Sequence, residues 1–239
     1  MYIGFDFETQ GFDAKTDAPT EFGMVAFDET GKELNSVNFI IVSPLTKPQN
    51  KEIVELTGIT DEMIEKEGVS EKSVVELIVP VLKEAKALFA YNAQFDTQFL
   101  KEMLARNGVD TLGIPVICAM RQVDYPKRFS CKKLSHLAFD HGIFPEAGEG
   151  AHRAIADVRL MIKLLARYGI EKIVADSKVP KVKLRIFTEK PWEDGSKSND
   201  YAKEQGFKFD PATKFWCKEV RETEVEQIIT GSLYPVERL

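Results

Sequence analysis

At 239 residues the chain is long enough to bury one or two real cores. Its 44% hydrophobic and 29% charged residues fall in the ordinary globular range, which excludes disordered and collagen-like classes. The formal net charge of -6 excludes a generally basic nucleic-acid coat but still allows a local basic stripe.

No apolar run approaches the roughly 18 residues of a membrane span, and Leu77 to Leu82 is broken by Pro80, so no membrane partner is expected. Met1 to Phe7 runs straight into a strand-like pattern with no basic n-region or cleavage site, which predicts a cytoplasmic address. The three cysteines, Cys118, Cys131 and Cys217, fit neither a disulfide framework nor a zinc-ligand spacing and read as thiols. Acid is concentrated early: residues 1–76 hold 16 acidic and 6 basic side chains.

In chain order, the patterning predicts strands over Tyr2 to Glu8, Phe22 to Asp28 and Leu34 to Val42, an antiparallel meander with a turn at Gly31. Short helices follow over Ile53 to Leu56 and Asp61 to Glu67. A longer one follows over Ser73 to Lys86, then a buried strand over Ala87 to Tyr91. Thr97 to Arg106 reads as helix, Ile114 to Met120 as strand, and Lys132 to His141 and Arg153 to Arg167 as helices that stop at Gly142 and Gly169. Strands first and α/β alternation afterwards predict a mixed sheet with helices on its faces. Near Asp176 to Lys183 the composition changes, with SKVPKVK reading as a linker or strand entry, and a boundary is expected.

Three segments carry candidate chemistry. On the first strand Gly4, Asp6 and Glu8 share one face and Ile3, Phe5 and Phe7 the other, because side chains alternate. Two carboxylates on one face can converge on a pair of divalent ions that clamp phosphoryl oxygens; an amphipathic strand with a solvated face is the plain alternative. In Tyr91-Asn92-Ala93-Gln94-Phe95-Asp96 a strand ends in an Asp at a helix start, where capping alone also favours Asp. In Gly150 to Asp157 a His and an Asp enter a helix; five residues of continuous helix would put them about 140° apart, so His152 is placed on the preceding loop. His136 and His141 read as structural histidines.

FDFETQG at 5–11, NAQFDTQFL at 92–100 and HRAIADV at 152–158, with TGITDEMI at 57–64, resemble the motifs of the DEDDh 3′-5′ exonuclease superfamily, whose fold is ribonuclease H-like and whose members include proofreading exonucleases of bacterial replicative polymerases. The resemblance covers about residues 1–170. It implies a mixed five-stranded sheet flanked by helices, within a domain over 1–175. Asp6, Glu8, Asp96 and Asp157 would hold two divalent metal ions, Mg²⁺ or Mn²⁺, and His152 would be the general base. Thr9, Gly11, Phe12, Asn92 and Phe99 would line the terminal-nucleotide site, with core packing the alternative for both phenylalanines. Gln10 and Tyr91 depart from common family residues without touching a metal ligand.

Arg121, Lys127, Arg128, Lys132 and Lys133, with Tyr125 and Phe129, form a candidate track for a substrate backbone. Residues 183–239 are expected to form a small α+β accessory module. In it, AKEQGFKFDPATKFW at 202–216 resembles a module found beside DNA-processing enzymes, with aromatics that serve either its own core or base stacking. The implied function is release of nucleoside monophosphates from DNA 3′ ends by metal-dependent hydrolysis. The alternatives are an exoribonuclease of the same superfamily or, further off, a module that only binds nucleic acid or a polymerase. The implied partners are nucleic-acid 3′ ends, DNA ahead of RNA, and a polymerase or other protein through the C-terminal module.

Overall fold

The computed structural model describes residues 1–110, 112–126, 128–129, 131–144, 153–189, 191, 193 and 195–239. The chain divides into two compact units, Met1–Val174 and Ala175–Leu239. The first carries β1 (Tyr2–Thr9), β2 (Pro19–Phe27), β3 (Glu33–Val42), α1 (Lys51–Thr57), α2 (Asp61–Glu67), β4 (Val69–Ser70), α3 (Glu71–Lys83), β5 (Leu88–Ala90), α4 (Ala93–Arg106), β6 (Val116–Cys118), α5 (Ala119–Gln122), α6 (Leu134–Asp140), α7 (Ala154–Ala166) and the start of α8 (Ile170–Lys178). Its sheet runs β4-β3-β2-β1-β5-β6. The β1-β2 and β2-β3 pairs are antiparallel, and β1-β5, β5-β6 and β3-β4 are parallel.

The expected mixed sheet therefore has six strands rather than five, because two-residue β4 adds an edge too short to show any period in sequence. The strand expected over Ile114 to Met120 ends at Cys118, where α5 begins. Helix α4 starts at Ala93, four residues ahead of the expected Thr97, which places Asp96 inside its first turn. Helix α8 was not expected; its buried residues Ile170, Ile173 and Val174 follow helical spacing.

Alternation along β1 separates two cores. Ile3, Phe5 and Phe7 pack with Val74, Ile78 and Leu82 of α3 and with Phe99, Leu100 and Met103 of α4. Tyr2 packs on the other face with Val25, Phe27 and Phe89 of the sheet, and with Val158, Met161, Ile162 and Leu165 of α7. Two glycines let α7 lie against the strands. A Cβ at Gly4 would stand 2.8 Å from Val158 Cγ1, and one at Gly23 would stand 2.5 Å from the backbone nitrogen of Ile155 and 2.6 Å from the carbonyl carbon of Ala154. At Gly23 the obstacle is backbone, which cannot swing aside as a side chain can.

The second unit contains β7 (Lys181–Ile186), α9 (Lys197–Glu204), β8 (Lys208–Asp210), β9 (Phe215–Arg221), a 3-10 turn at Glu222–Glu224, α10 (Val225–Gly231) and β10 (Val236–Arg238). Its sheet order is β10-β7-β9-β8, and every neighbouring pair is antiparallel. The unit begins ahead of the expected residue 183 because β7 starts at Lys181 and Asp176 pairs with Arg221 at 3.8 Å. No helix among the described residues is long and apolar enough to cross a membrane.

Gly23→Ala is expected to destabilise the protein by about 1–3 kcal/mol, the usual cost of overpacking, because the first turn of α7 must lift from β2. Denaturant melts of the variant check this; an unchanged midpoint would show that α7 does not depend on the contact.

Candidate active site

The acidic residues converge where β1 leaves the sheet. Its register with β2 shifts between Glu8 and Thr9, so the strand's last turn-out lies beside the carboxylates. Asp6 and Glu8 come from β1, and the contact of α7 with Gly4 and Gly23 brings in Asp157 from that helix's first turn. One carboxylate oxygen from each of Asp6, Glu8 and Asp157 lies within 4.8 Å of the others. Asp96 arrives from α4 on the opposite face of the sheet and is only 2% exposed. Its Oδ1 accepts a hydrogen bond from the Phe7 amide at 3.2 Å, and its carboxyl is also hydrogen-bonded to that of Asp6.

Burial first, and then the charges of Asp96, Asp157 and Glu8, push Asp6 well above the usual carboxylate range. Burial followed by Asp157, Glu21 and Asp96 raises Glu8 to about 8, with Arg153 partly opposing. Burial raises Asp96 to about 7 even though the Phe7 amide favours its anion. An array of hard oxygen donors that cannot all ionise without countercharge is chemically suited to divalent cations, so Asp6, Glu8 and Asp157 form a candidate metal-binding group with Asp96 beside it.

Sequence reading missed Glu21. It stands opposite Glu8 in the β1-β2 register and is fully buried. Its carboxylate accepts from Arg153 Nε at 2.9 Å and Nη2 at 2.6 Å, from the Ala154 amide at 2.9 Å and from Asn38 Nδ2 at 2.7 Å. Arg153 makes no side-chain cap of its own, so Glu21 caps the start of α7 from another strand. A charged residue inside the otherwise buried run of β2 was the available signal.

Beside the acids a cleft of about 430 Å³ is lined by Phe7, Glu8, Thr9, Gln10, Gly11 and Phe12, by Phe95 of α4, and by Asn50, Ile53, Leu56 and Thr57 in and before α1. Thr9, Gly11 and Phe12 thus line this cleft, and Phe12 is 87% exposed. Phe99 does not line the cleft: it is 0% exposed and packs against Phe7 and Phe95, with centroids 6.2 Å and 5.0 Å away. The ring that reaches the cleft is Phe95, one turn nearer the start of α4 and 6.3 Å from Phe12. Asn92 is exposed at the start of α4 and is not part of the cleft lining. The α1 wall is held by Gln10, whose side chain accepts from the Lys47 amide at 3.0 Å and donates to Gln49 Oε1 at 3.1 Å.

His152 and Lys127 fall outside the described residues. The aromatic members of the expected backbone track turn inward: Tyr125 is buried in the α7-side core, and Phe129 is half-buried with its centroid 4.4 Å from that of His141. Tyr91 donates its hydroxyl to the Lys132 carbonyl, tying the end of β5 to that segment.

A six-stranded mixed sheet packed on both faces by helices, with carboxylates gathered at the end of its central strand, defines a ribonuclease H-like nuclease architecture. The model of the RNase T exonuclease family matches residues 3–165, and the chain belongs to this exonuclease family. It is 29% identical over 187 residues, 76% of the chain, to a PolC-type DNA polymerase III of Clostridium perfringens, and 26% identical over 70% of the chain to that of Thermotoga maritima. The chain spans 12% of the length of either polymerase. Among solved structures it resembles Escherichia coli exonuclease I in complex with a dT13 oligonucleotide, with TM-score 0.62 and 18% identity over 78% of this chain and 48% of that one. It also resembles the nuclease domain of 3′hExo, a DEDDh family member bound to rAMP, with TM-score 0.58 and 14% identity over 70% of this chain and 90% of that one.

The raised carboxyl groups predict a pH- and metal-linked stability. Protons bind more tightly to the folded protein than to the unfolded chain, so these groups' contribution is full below about pH 4 and is lost as pH rises through about 7 to 8. Metal-free protein is therefore expected to lose melting temperature over that interval, with less loss in Asp6→Asn and recovery on adding Mg²⁺ or Mn²⁺ at the alkaline end. Thermal melts in EDTA and in metal check this. Identical pH curves for the two proteins, with no response to metal, would contradict the electrostatic account.

Proposed function

We propose that this chain is a metal-dependent 3′-5′ exonuclease that releases nucleoside monophosphates from DNA 3′ ends. The observation that carries the reading is the convergence of Asp6, Glu8 and Asp157 within 4.8 Å, with Asp96 hydrogen-bonded to the same strand. Asp6, Glu8, Asp96 and Asp157 would hold two Mg²⁺ or Mn²⁺ ions. Such ions, when bound, supply an activated water and stabilise the negative charge on the leaving 3′ oxygen.

The chain's own residues do the rest. Thr9, Gly11 and Phe12 in the cleft, with Phe95, seat the terminal nucleotide so that its phosphodiester faces the carboxylates. The exposed Phe12 ring offers a surface for the terminal base or the step behind it. Glu21 and Arg153 fix the start of α7 and with it Asp157. His152, which immediately precedes Arg153, takes a proton from the attacking water. The polymerase relatives support DNA as substrate and a replicative or repair setting, in which a polymerase would be the protein partner.

Asp157→Asn is expected to abolish mononucleotide release while keeping the fold, and His152→Ala to lower turnover by about 10²- to 10⁴-fold with little change in substrate affinity. Matched DNA and RNA oligonucleotides assayed with Mg²⁺, with Mn²⁺ and with EDTA check both. Full activity in EDTA, or of Asp157→Asn, rejects the metal-ion mechanism. Faster cleavage of RNA reassigns the substrate.

A further inference from the structure

Helix α4 does more than carry Asp96. At about 100° per residue, Phe95, Gln98 and Arg106 fall within an arc of roughly 80° on one face of the helix. Each of them meets the loop between β1 and β2. The Phe95 ring lies 6.3 Å from that of Phe12. Gln98 Nε2 donates to the Phe12 carbonyl at 3.2 Å, and Arg106 Nη1 donates to the Ala14 carbonyl at 3.1 Å. Lys47 Nζ, from the segment ahead of α1, donates to the Thr16 carbonyl at 3.0 Å. Alternate carbonyls of one loop are thus held by side chains from outside it.

The Arg106 end of this arrangement is fixed in depth. Arg106 forks onto Glu71 at the start of α3, with Nη2 2.6 Å from Oε1 and Nε 3.1 Å from Oε2, and the Ser43 hydroxyl at the end of β3 donates to the same carboxylate at 2.8 Å. Glu71 is buried, so the guanidinium cannot leave without stranding a carboxylate away from water. Ala14 is buried too, in the core that α3 and α4 share. Within the loop, the Asp13 amide donates to Asp17 Oδ2 at 3.0 Å and the Asp17 amide to the Asp13 carbonyl at 2.8 Å. Phe12, by contrast, stands in solvent. A ring in water gains no direction from burial, so its backbone must supply it.

We propose that Gln98 and Arg106 are positioning residues for substrate binding: by holding the Phe12 and Ala14 carbonyls, they aim the exposed Phe12 ring over the nucleotide cleft before a strand arrives. A loop ordered only on binding would lose affinity to the conformational entropy of its own backbone. The same helix bears Asp96 in its first turn, so one rigid element sets the base-contacting ring in register with the carboxylates. Neither side chain bonds to Asp6, Glu8, Asp96 or Asp157, which places their effect on binding rather than on the chemical step. The inference rests on the nuclease reading for the ligand and for Phe12 as its contact.

The test makes two measurements on the full-length protein. In EDTA without DNA, Gln98→Met, which keeps the side chain's length and removes its donor, is expected to speed hydrogen exchange at the Asp13 and Asp17 amides at least about threefold, while the amides of α4 keep their protection. On a single-stranded DNA oligonucleotide with Mg²⁺, the same variant is expected to raise KM about 2- to 10-fold, the range of one net hydrogen bond, with kcat within about twofold. Arg106→Lys keeps a cation beside Glu71 but loses the planar fork that also reaches Ala14, and is expected to show the same split. Phe12→Ala separates positioning from general damage: in that background Gln98→Met should leave KM unchanged, because the ring it positions is gone. Loop exchange unchanged in both variants, or the same KM increase with and without the Phe12 ring, would overturn the proposal. Absence of hydrolysis by the unaltered protein would reject the nuclease reading instead. The exchange comparison needs neither DNA nor metal and would still decide whether the two side chains hold the loop.

Discussion

At Gly23 the first turn of α7 meets β2 with no room for even one methyl group between the two backbones. The candidate active site depends on that contact. A carboxylate on β1 and a carboxylate on a helix more than a hundred residues later can share a metal-sized volume only if the helix lies almost on the strands. Glycine at positions 4 and 23 permits that approach, and Glu21 enforces it by binding both the Arg153 guanidinium and the Ala154 amide. A buried Glu that lost Arg153 would be an uncompensated charge, so pair and helix position hold or fail together.

The same close packing creates an electrostatic problem. Asp6, Glu8, Asp96 and Asp157 are drawn together in a partly dehydrated place, and burial first, with the neighbouring carboxylate charges adding to it, raises the proton affinities of the first three. Asp6 and Asp96 relieve part of this through the hydrogen bond between their carboxyls, and the Phe7 amide adds a fixed dipole. Glu21 is a fifth carboxylate in the neighbourhood, but Arg153 balances it. The remaining negative charge makes the site chemically suited to hard cations. Sites that bind charge are commonly among the strained parts of a fold.

Much of this was legible in sequence because it follows short periods. The two-residue period of β1 places Asp6 and Glu8 together, and the third motif carries Asp157 on a recognisable helix. Glu21 was not legible, since its partner is 132 residues away and no local pattern links PTEFGMVAF to the start of α7. Phe95 and Phe99 lie one helical turn apart on the same side of α4, and sequence spacing does not say which ring is deeper. Packing decides it: Phe99 meets Phe7 inside the core, and Phe95 is left for the cleft. The α1 wall was read as a helix near a family segment, but its place over the cleft comes from the Gln10 bonds to Lys47 and Gln49. Strand β4 has no period to read, and the stripe of Ile170, Ile173 and Val174 in α8 follows the Gly169 stop of the preceding helix, in a stretch too short before the expected boundary to stand out.

The distribution of charge ties these local features to the handling of a polyanion. All of the net negative charge resides in residues 1–174, with twenty basic and twenty-six acidic side chains, whereas residues 175–239 balance. A nucleic acid approaching the carboxylates would be repelled at short range until cations neutralise them, and at about 0.15 M salt that repulsion fades within roughly 8 Å. Beyond this distance screening removes the penalty, so phosphates away from the scissile bond need only local cationic contacts.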